Sequence, residues 1–460
     1  MRFGINMVCG LLGAFLFLQT AALAQEKMAL TLEQSVSIAL QKNPEIQTAE
    51  KEAAKAKAGI WEAVSNILPA MDVNANYQHA WEIQETTIPN FLKPALGPLA
   101  PPGMPDYIKI AFGLQNTFTY GAILNQPLFL GGAGLGGIRI ARAAGRAAEH
   151  SLESKKQFLI YQAAQAFYSC LLAKELVRVQ HLALEQSRAN LDIVKKRYDA
   201  GTASGFDKMR AEVEVANLKP EVITTENNYR LAVTNLRTVL GLARTIEIEP
   251  QGEMSYVEDD SGDRSLEEIQ KTALLQRPEV LAVREQKSMA STGITLAASN
   301  FLPKLFFQTS YSYMAMRNDH RFQQGDFSKG FTSALSLQIP LFHGFRSAKQ
   351  YQKARLDYKI ALDGEKQVQD GVSAEAEMAY HKFGEARQKY GSARESIALA
   401  EEALRLASLM YEEGVSTQLD VLSSQLALNR SRLNFAQSLF EYQMARYQLK
   451  KATGNLKGVL

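Results

Sequence analysis

Two apolar positions recur every seven residues toward the C-terminal end of the chain. Ala376, Phe383, Tyr390, Ile397, Leu404 and Tyr411 form one series, and Val372, Ala379, Ala386, Ala393, Ala400 and Ala407 form the other. They interleave at spacings of four and three, the seam of a coiled coil kept up for about six heptads. The pattern predicts one helix over about 346–412, a rod of roughly 100 Å at about 1.5 Å per residue. Alanine along one series lets a partner helix come close and favours long straight packing over a bulky core. Shifted by 213 residues, the same pattern returns as Ala163, Cys170, Val177, Leu184, Leu191 and Tyr198 beside Leu159, Ala166, Ala173, Gln180, Ser187 and Val194, predicting a second rod over about 133–199.

The duplication extends beyond the rods. Leu32–Glu45 matches Leu266–Glu279 at an offset of 234, as do Ser65-Asn66 and Leu68-Pro69 with Ser299-Asn300 and Leu302-Pro303. From Asn125-Gln126-Pro127-Leu128-Phe129, paired with Gln338-Ile339-Pro340-Leu341-Phe342, to Gly241 and Gly454, the offset is 213. One insertion of about 21 residues in the first copy accounts for the change, and a period this long indicates one structural unit used twice. The chain divides into 1–24, a first repeat over 25–242, a linker over 243–264 and a second repeat over 265–460.

Inside each unit the period switches from helical to two and back. Met71, Val73, Ala75, Tyr77 and Trp81 alternate with Asp72, Asn74, Asn76 and Gln78, and Phe112, Leu114, Phe118, Tyr120, Ala122 and Leu124 alternate with small or polar residues. These predict strands at about 70–82 and 108–126; the second unit repeats them at about 304–316 and 329–341. Pro69 and Pro303 mark entry to the sheet, and Pro127 and Pro340 the exit. The insertion, with Pro89, Pro94, Pro98, Pro101, Pro102 and Pro105, reads as an extended, exposed loop. A further long helix closes each unit, at about 206–240 and 417–452. Leu419, Leu426, Leu433, Phe440 and Tyr447 keep the seven-residue step in the latter, and Pro220 in the former predicts a kink. Glu247, Glu249, Glu253, Glu258, Asp259, Asp260 and Asp263 make the linker acidic.

A net charge of +3 gives no push toward nucleic acid or an anionic membrane. Arg2, the apolar run Phe3–Leu18 and Ala22-Leu23-Ala24 read as a secretory signal cleaved after Ala24. Cys170 then stands alone in the mature chain, on a heptad position where a buried small hydrophobe is expected. Four strands with one apolar and one polar face cannot close a barrel, and lipid does not tolerate their open edges. The chain must therefore assemble with copies of itself. A trimer would supply twelve strands around a water-filled lumen, and the long helices would continue that lumen as a tube.

This constellation, with the Asn43-Pro44-Glu45 helix entry, the paired strands and tips in which Tyr is followed by Gly three and Asp nine residues on, resembles the TolC family of outer-membrane efflux and secretion ducts. The resemblance covers nearly the whole mature chain. It implies a mixed fold of α-helical coiled coil and membrane β-barrel: a homotrimer with a twelve-stranded barrel in outer-membrane lipid and a long periplasmic tunnel, in a Gram-negative cell. It also implies that the tips, with Tyr198, Gly201, Thr202, Gly414 and Val415, meet a periplasmic adaptor, and that adaptor and inner-membrane pump supply the energy. Asp420 matches an aspartate lining the closed aperture, and Ser423 stands where relatives often carry a second one. Three copies of Asp420 would raise one another's pKa. Tyr411 and Asp207 match a pair that hydrogen-bonds between hairpins in the closed state, and Ser416 stands where an arginine would complete that lock. Asp207 and Asp420 also lie close to helix starts, where N-terminal capping alone would account for them.

Gly132, Gly134 and Gly137 spell G-x-G-x-x-G between a strand and a helix, but the following helix is far too long for a dinucleotide-binding unit and no parallel strand returns. The histidines show no metal-ligand spacing and no nucleophile–base pairing appears, so no enzyme activity and no cofactor is expected. The alternative is a secreted coiled-coil structural or adhesive protein with a soluble sheet. Apolar outward stripes in every strand speak against it. Drug efflux, metal efflux and type I protein secretion are not separated by these residues.

Overall fold

The computed structural model describes residues 28–456, so the export signal read at 1–24 lies outside the described residues. The first repeat opens with strand β1 (Met28–Leu30) and helices α1 (Leu32–Lys42) and α2 (Pro44–Ser65). Strand β2 (Ala70–His79) follows, then β3 (Glu85–Pro89), the short helix α3 (Leu92–Leu96), β4 (Tyr107–Ala111) and β5 (Asn116–Phe129). The helical hairpin α4 (Ala133–Asp199) and α5 (Gly205–Val239) ends the unit. After β6 (Ile248–Pro250) in the linker, the second repeat runs α6 (Leu266–Gln276), α7 (Pro278–Ala298), β7 (Lys304–Arg317), β8 (Ser328–Gln338), α8 (Arg346–Glu412) and α9 (Gln418–Ala452). The repeats start alike: Thr31 with Gln34 and Ser265 with Glu268 form capping boxes at α1 and α6. Pro44 and Pro278 occupy the first helical position of α2 and α7, where no N–H is needed.

The rods fall on the expected residues. Along α4 the two heptad series are buried from Leu159 to Val194, with Val177 half-buried. Along α8 burial holds from Val372 to Ala386; from Tyr390 to Ala407 the same positions are only half-covered, until Tyr411 is buried again. The α9 series holds only toward its end, where Leu433 and Phe440 are half-buried and Tyr447 is buried; Leu419 and Leu426 are about half exposed, and a second buried face carries Val421, Leu428, Tyr442 and Leu449. That series keeps the seven-residue step two positions further on. Pro220 does not interrupt α5, which equals α9 at 35 residues. The buried Leu218 and Val222 on either side of it hold that turn against α4.

Strands β2, β5, β7 and β8 form one antiparallel sheet in that order. The strand expected at 108–126 is in fact two. Residues 107–111 pair with 85–89 in a separate hairpin, and β5 begins only at Asn116. Gly113, at φ 120°, breaks the run between them. The insertion is therefore not an extended loop throughout but a small folded hairpin with one helical turn. On the main sheet one face is apolar and aromatic, with Tyr77 opposite Phe118, Tyr120 opposite Tyr313 and Tyr311 opposite Phe331. The Tyr120 and Tyr313 rings stack at 5.0 Å.

The linker is strapped to the second hairpin. Tyr256 stacks between Tyr390 at 4.7 Å and Tyr442 at 4.8 Å. Asp259 holds Lys450 at 2.8 Å, and β6 pairs in parallel with β1. Two cores sit at this level. One gathers Val36, Ala39, Leu159, Phe167 and Leu240; the other gathers Ile269, Ala273, Val372, Ala376 and Tyr442. Ala164, Met444 and Tyr447 join the repeats. Each fully buried Leu or Ile here contributes about 2 kcal/mol.

Helix order follows strand order. α7 lies against both α4 and α8, whereas its repeat counterpart α2 packs on α4. Trp61 on α2 and Leu356 and Ile360 on α8 remain exposed. Sheet and helical layer thus end in two different open sides, β2 with α2 and β8 with α8.

Candidate functional site at the helical tips

The two hairpins turn through the same chain geometry. In the first, Gly201 N–H donates to Tyr198 O (2.9 Å) and Thr202 N–H to Arg197 O (2.8 Å); in the second, Gly414 donates to Tyr411 O (3.1 Å) and Val415 to Met410 O (2.8 Å). These are Schellman closures, which need a left-handed residue after the helix. Gly201 and Gly414 supply it at φ 70° and 76°. The chain then enters the next helix through a capping box. Asp207 Oδ2 accepts from the Ser204 hydroxyl (2.6 Å) and Asp420 Oδ2 from the Thr417 hydroxyl (2.6 Å). The backbone N–H of Thr417 adds a second bond at 2.8 Å. The Thr417 hydroxyl and N–H together hold the Asp420 carboxyl below the usual carboxylate range. Ser423 donates to Asp420 O (3.0 Å) and Ser416 to Ala407 O (3.4 Å), so both hydroxyls are turned on their own hairpin.

The Tyr411–Asp207 pair anticipated between hairpins does not form within the chain. Asp207 is committed to Ser204, and Tyr411 is buried beneath a different residue, Arg197. The Arg197 guanidinium lies 4.3 Å from the centre of the Tyr411 ring, and its Nη2 donates to Glu412 O at 2.8 Å. Sequence reasoning missed Arg197, although a signal existed: the repeats agree around the tips, yet Arg197 stands where the second copy has Met410. At the neighbouring position Tyr198 is 42% exposed, with Lys208 Nζ at 4.8 Å from its ring. Val415, Leu419 and Leu426 of one hairpin and Phe206, Met209 and Val213 of the other leave apolar stripes exposed near the tips.

Elsewhere the chemistry is sparse. Burial pushes the Cys170 thiol up to about 12, so it behaves as a core hydrophobe. No group of three metal-ligating side chains occurs among the described residues, and no described helix is long and apolar enough to cross a membrane. Gly134 of the G-x-G-x-x-G run has a packing use: a Cβ there would come within 2.3 Å of Ile67.

Comparison with known proteins agrees with this geometry. A family model described as outer membrane efflux protein matches residues 35–242 and 269–455, the two repeats without the linker. Outer membrane protein TolC of Vibrio cholerae is 22% identical over 317 residues, 68% of this chain and 71% of that one. Outer membrane efflux protein BepC of Brucella suis is 24% identical over 351 residues, covering 74% and 73%. The solved CmeC outer membrane channel of Campylobacter jejuni shares the fold with a TM-score of 0.75 at 19% identity, over 92% of this chain and 86% of that one. The open-state MtrE channel of Neisseria gonorrhoeae gives 0.74 at 17% identity, over 92% and 89%. The reading as a secreted coiled-coil structural protein finds no support in these matches.

Proposed function

The chain belongs to the outer membrane efflux protein family and is an outer-membrane duct; from that premise we propose that three copies close into one passive channel whose inner aperture is lined by Asp420. The observation that carries the reading is the pair of unlike open sides. β2 and β8 are both edge strands of one sheet, and α2 and α8 stand at the corresponding sides of the helical layer. Unlike sides join head to tail, which closes as a ring. Two copies would give eight strands, an interior filled by side chains; three give twelve and leave room for water. The aromatic face then meets lipid and the polar face, with Asp72, Asn74 and Asn76, meets the lumen.

In this ring the half-covered α8 positions beyond Tyr390 and the exposed Leu419, Leu426, Phe206, Met209 and Val213 pack on neighbouring copies. The Asp420 carboxylates, solvent-exposed in each chain and already favoured in charged form, present a ring of negative charge that passes cations more readily than anions. Only one acidic ring forms, because Ser423 replaces the next candidate. The exposed tip residues Tyr198, Gly201, Thr202, Gly414 and Val415 offer the surface for a periplasmic adaptor, with an inner-membrane pump as the source of energy. Reconstitution in planar bilayers tests this. Discrete conductance steps with cation preference are expected, and Asp420→Asn, which keeps the Thr417 bond but removes the charge, should reduce the preference. Protein that yields no steps, or an Asp420→Asn channel with unchanged selectivity, would refute the duct or its aperture respectively.

A further inference from the structure

We propose that Arg197 is the latch that keeps the second hairpin closed against the first, and that Tyr411 serves it through its aromatic ring rather than its hydroxyl. The proposal rests on the duct reading and names the part that regulates its aperture.

Three interactions converge on one side chain. The guanidinium of Arg197 covers the face of Tyr411 at 4.3 Å, within cation–π reach, on a ring only 8% exposed. Its Nη2 donates at 2.8 Å to the carbonyl of Glu412. Glu412 is the last residue of α8, so this carbonyl has no intrahelical partner, and a cation there also opposes the negative end of a 67-residue helix. All three contacts cross from α4 to α8 and stop where α8 ends. They therefore bind the two hairpins at the aperture and nowhere else.

The other candidate fasteners are occupied within their own hairpins. Asp207 caps α5 through Ser204, Asp420 caps α9 through Thr417, and Ser416 bonds Ala407 O. Between the hairpins near this point lies a cavity of about 220 Å³, lined by Gln186, Asn190, Leu404, Ser408 and Tyr411 among others. Packing there is incomplete, so the hairpins can part without disrupting a dense core. The relation is one-sided, because Met410 stands at the place equivalent to Arg197 and cannot return the contact.

Single-channel recording of the full-length protein in planar bilayers tests this, with assembly checked beforehand by the mass of the detergent-solubilised particle. Arg197→Ala should shift the closed-to-open ratio roughly tenfold toward open, the effect of losing one cation–π contact and one charge-assisted hydrogen bond. Arg197→Lys should fall between, since it keeps the charge at the helix end but not the planar stacking. Tyr411→Phe should gate as wild type, and Tyr411→Ala should match Arg197→Ala. The double alanine variant should open no further than either single one, the mark of a shared contact. Equal opening by Tyr411→Phe and Tyr411→Ala would overturn the proposal in favour of a hydroxyl lock. Wild-type gating by an assembled Arg197→Ala channel would overturn it outright. A wild-type protein that forms no channel would instead remove the duct reading on which the latch rests.

Discussion

Arg277, which is 5% exposed between α6 and α7, holds together the entry to the second repeat as Asn43 holds the entry to the first. Asn43 does so with a neutral amide, accepting from Glu45 N at 2.8 Å and donating to Val239 O at 3.0 Å. Arg277 uses charge, pairing with Glu279 and Glu375, the latter on α8. Burial pushes both carboxyls up, but the hydrogen bonds and charge of Arg277 outweigh it and leave both below the ordinary range. A depressed folded pKa contributes stability above the unfolded value near 4.3, and that contribution is lost as pH falls through the folded values. Thermal melts should therefore show a loss of stability below about pH 4 that is smaller in Arg277→Ala. At pH 7 the same variant should be about 2–3 kcal/mol less stable, somewhat below a fully buried pair because the carboxylates reach solvent. Parallel pH profiles for the two proteins would contradict this role.

The long helices were legible almost to the residue, because a seven-residue repeat seen twice leaves little freedom for their ends. What could not be read was which apolar stripe faces inward. α9 carries two: Val421, Leu428, Tyr442 and Leu449 are buried along one, while the other is exposed at Leu419 and Leu426 and buried at Tyr447. Alternation likewise cannot reveal a change of hydrogen-bonding partner, so one apparent strand concealed β4, a break at Gly113 and β5. The tips were half legible. Tyr-x-x-Gly followed by Ser or Thr and then Asp encodes a glycine closure and a capping box, and both are present. The reach of Arg197 across to α8 depends on tertiary placement that no local pattern records. At this scale Thr417→Ala should cost about 1 kcal/mol, measured by denaturant melts, through loss of the α9 cap. Its selectivity should stay near wild type because Asp420 remains. Gly414→Ala, forced to hold a left-handed backbone, should cost a similar amount.

At the scale of the whole molecule, duplication explains how one chain provides both sides of a joint. β5 meets β7, and α4 meets α7, across the boundary between repeats. The outward sides of β2 and β8 repeat that junction with its two halves separated, so in the proposed ring the contact inside one chain is the template for the contact between chains. The most direct measurement is the mass of the detergent-solubilised particle by sedimentation or native mass spectrometry. Three chains per particle, extracted from the outer-membrane fraction only with detergent, is the expected result. A single chain that stays soluble without detergent would contradict the account.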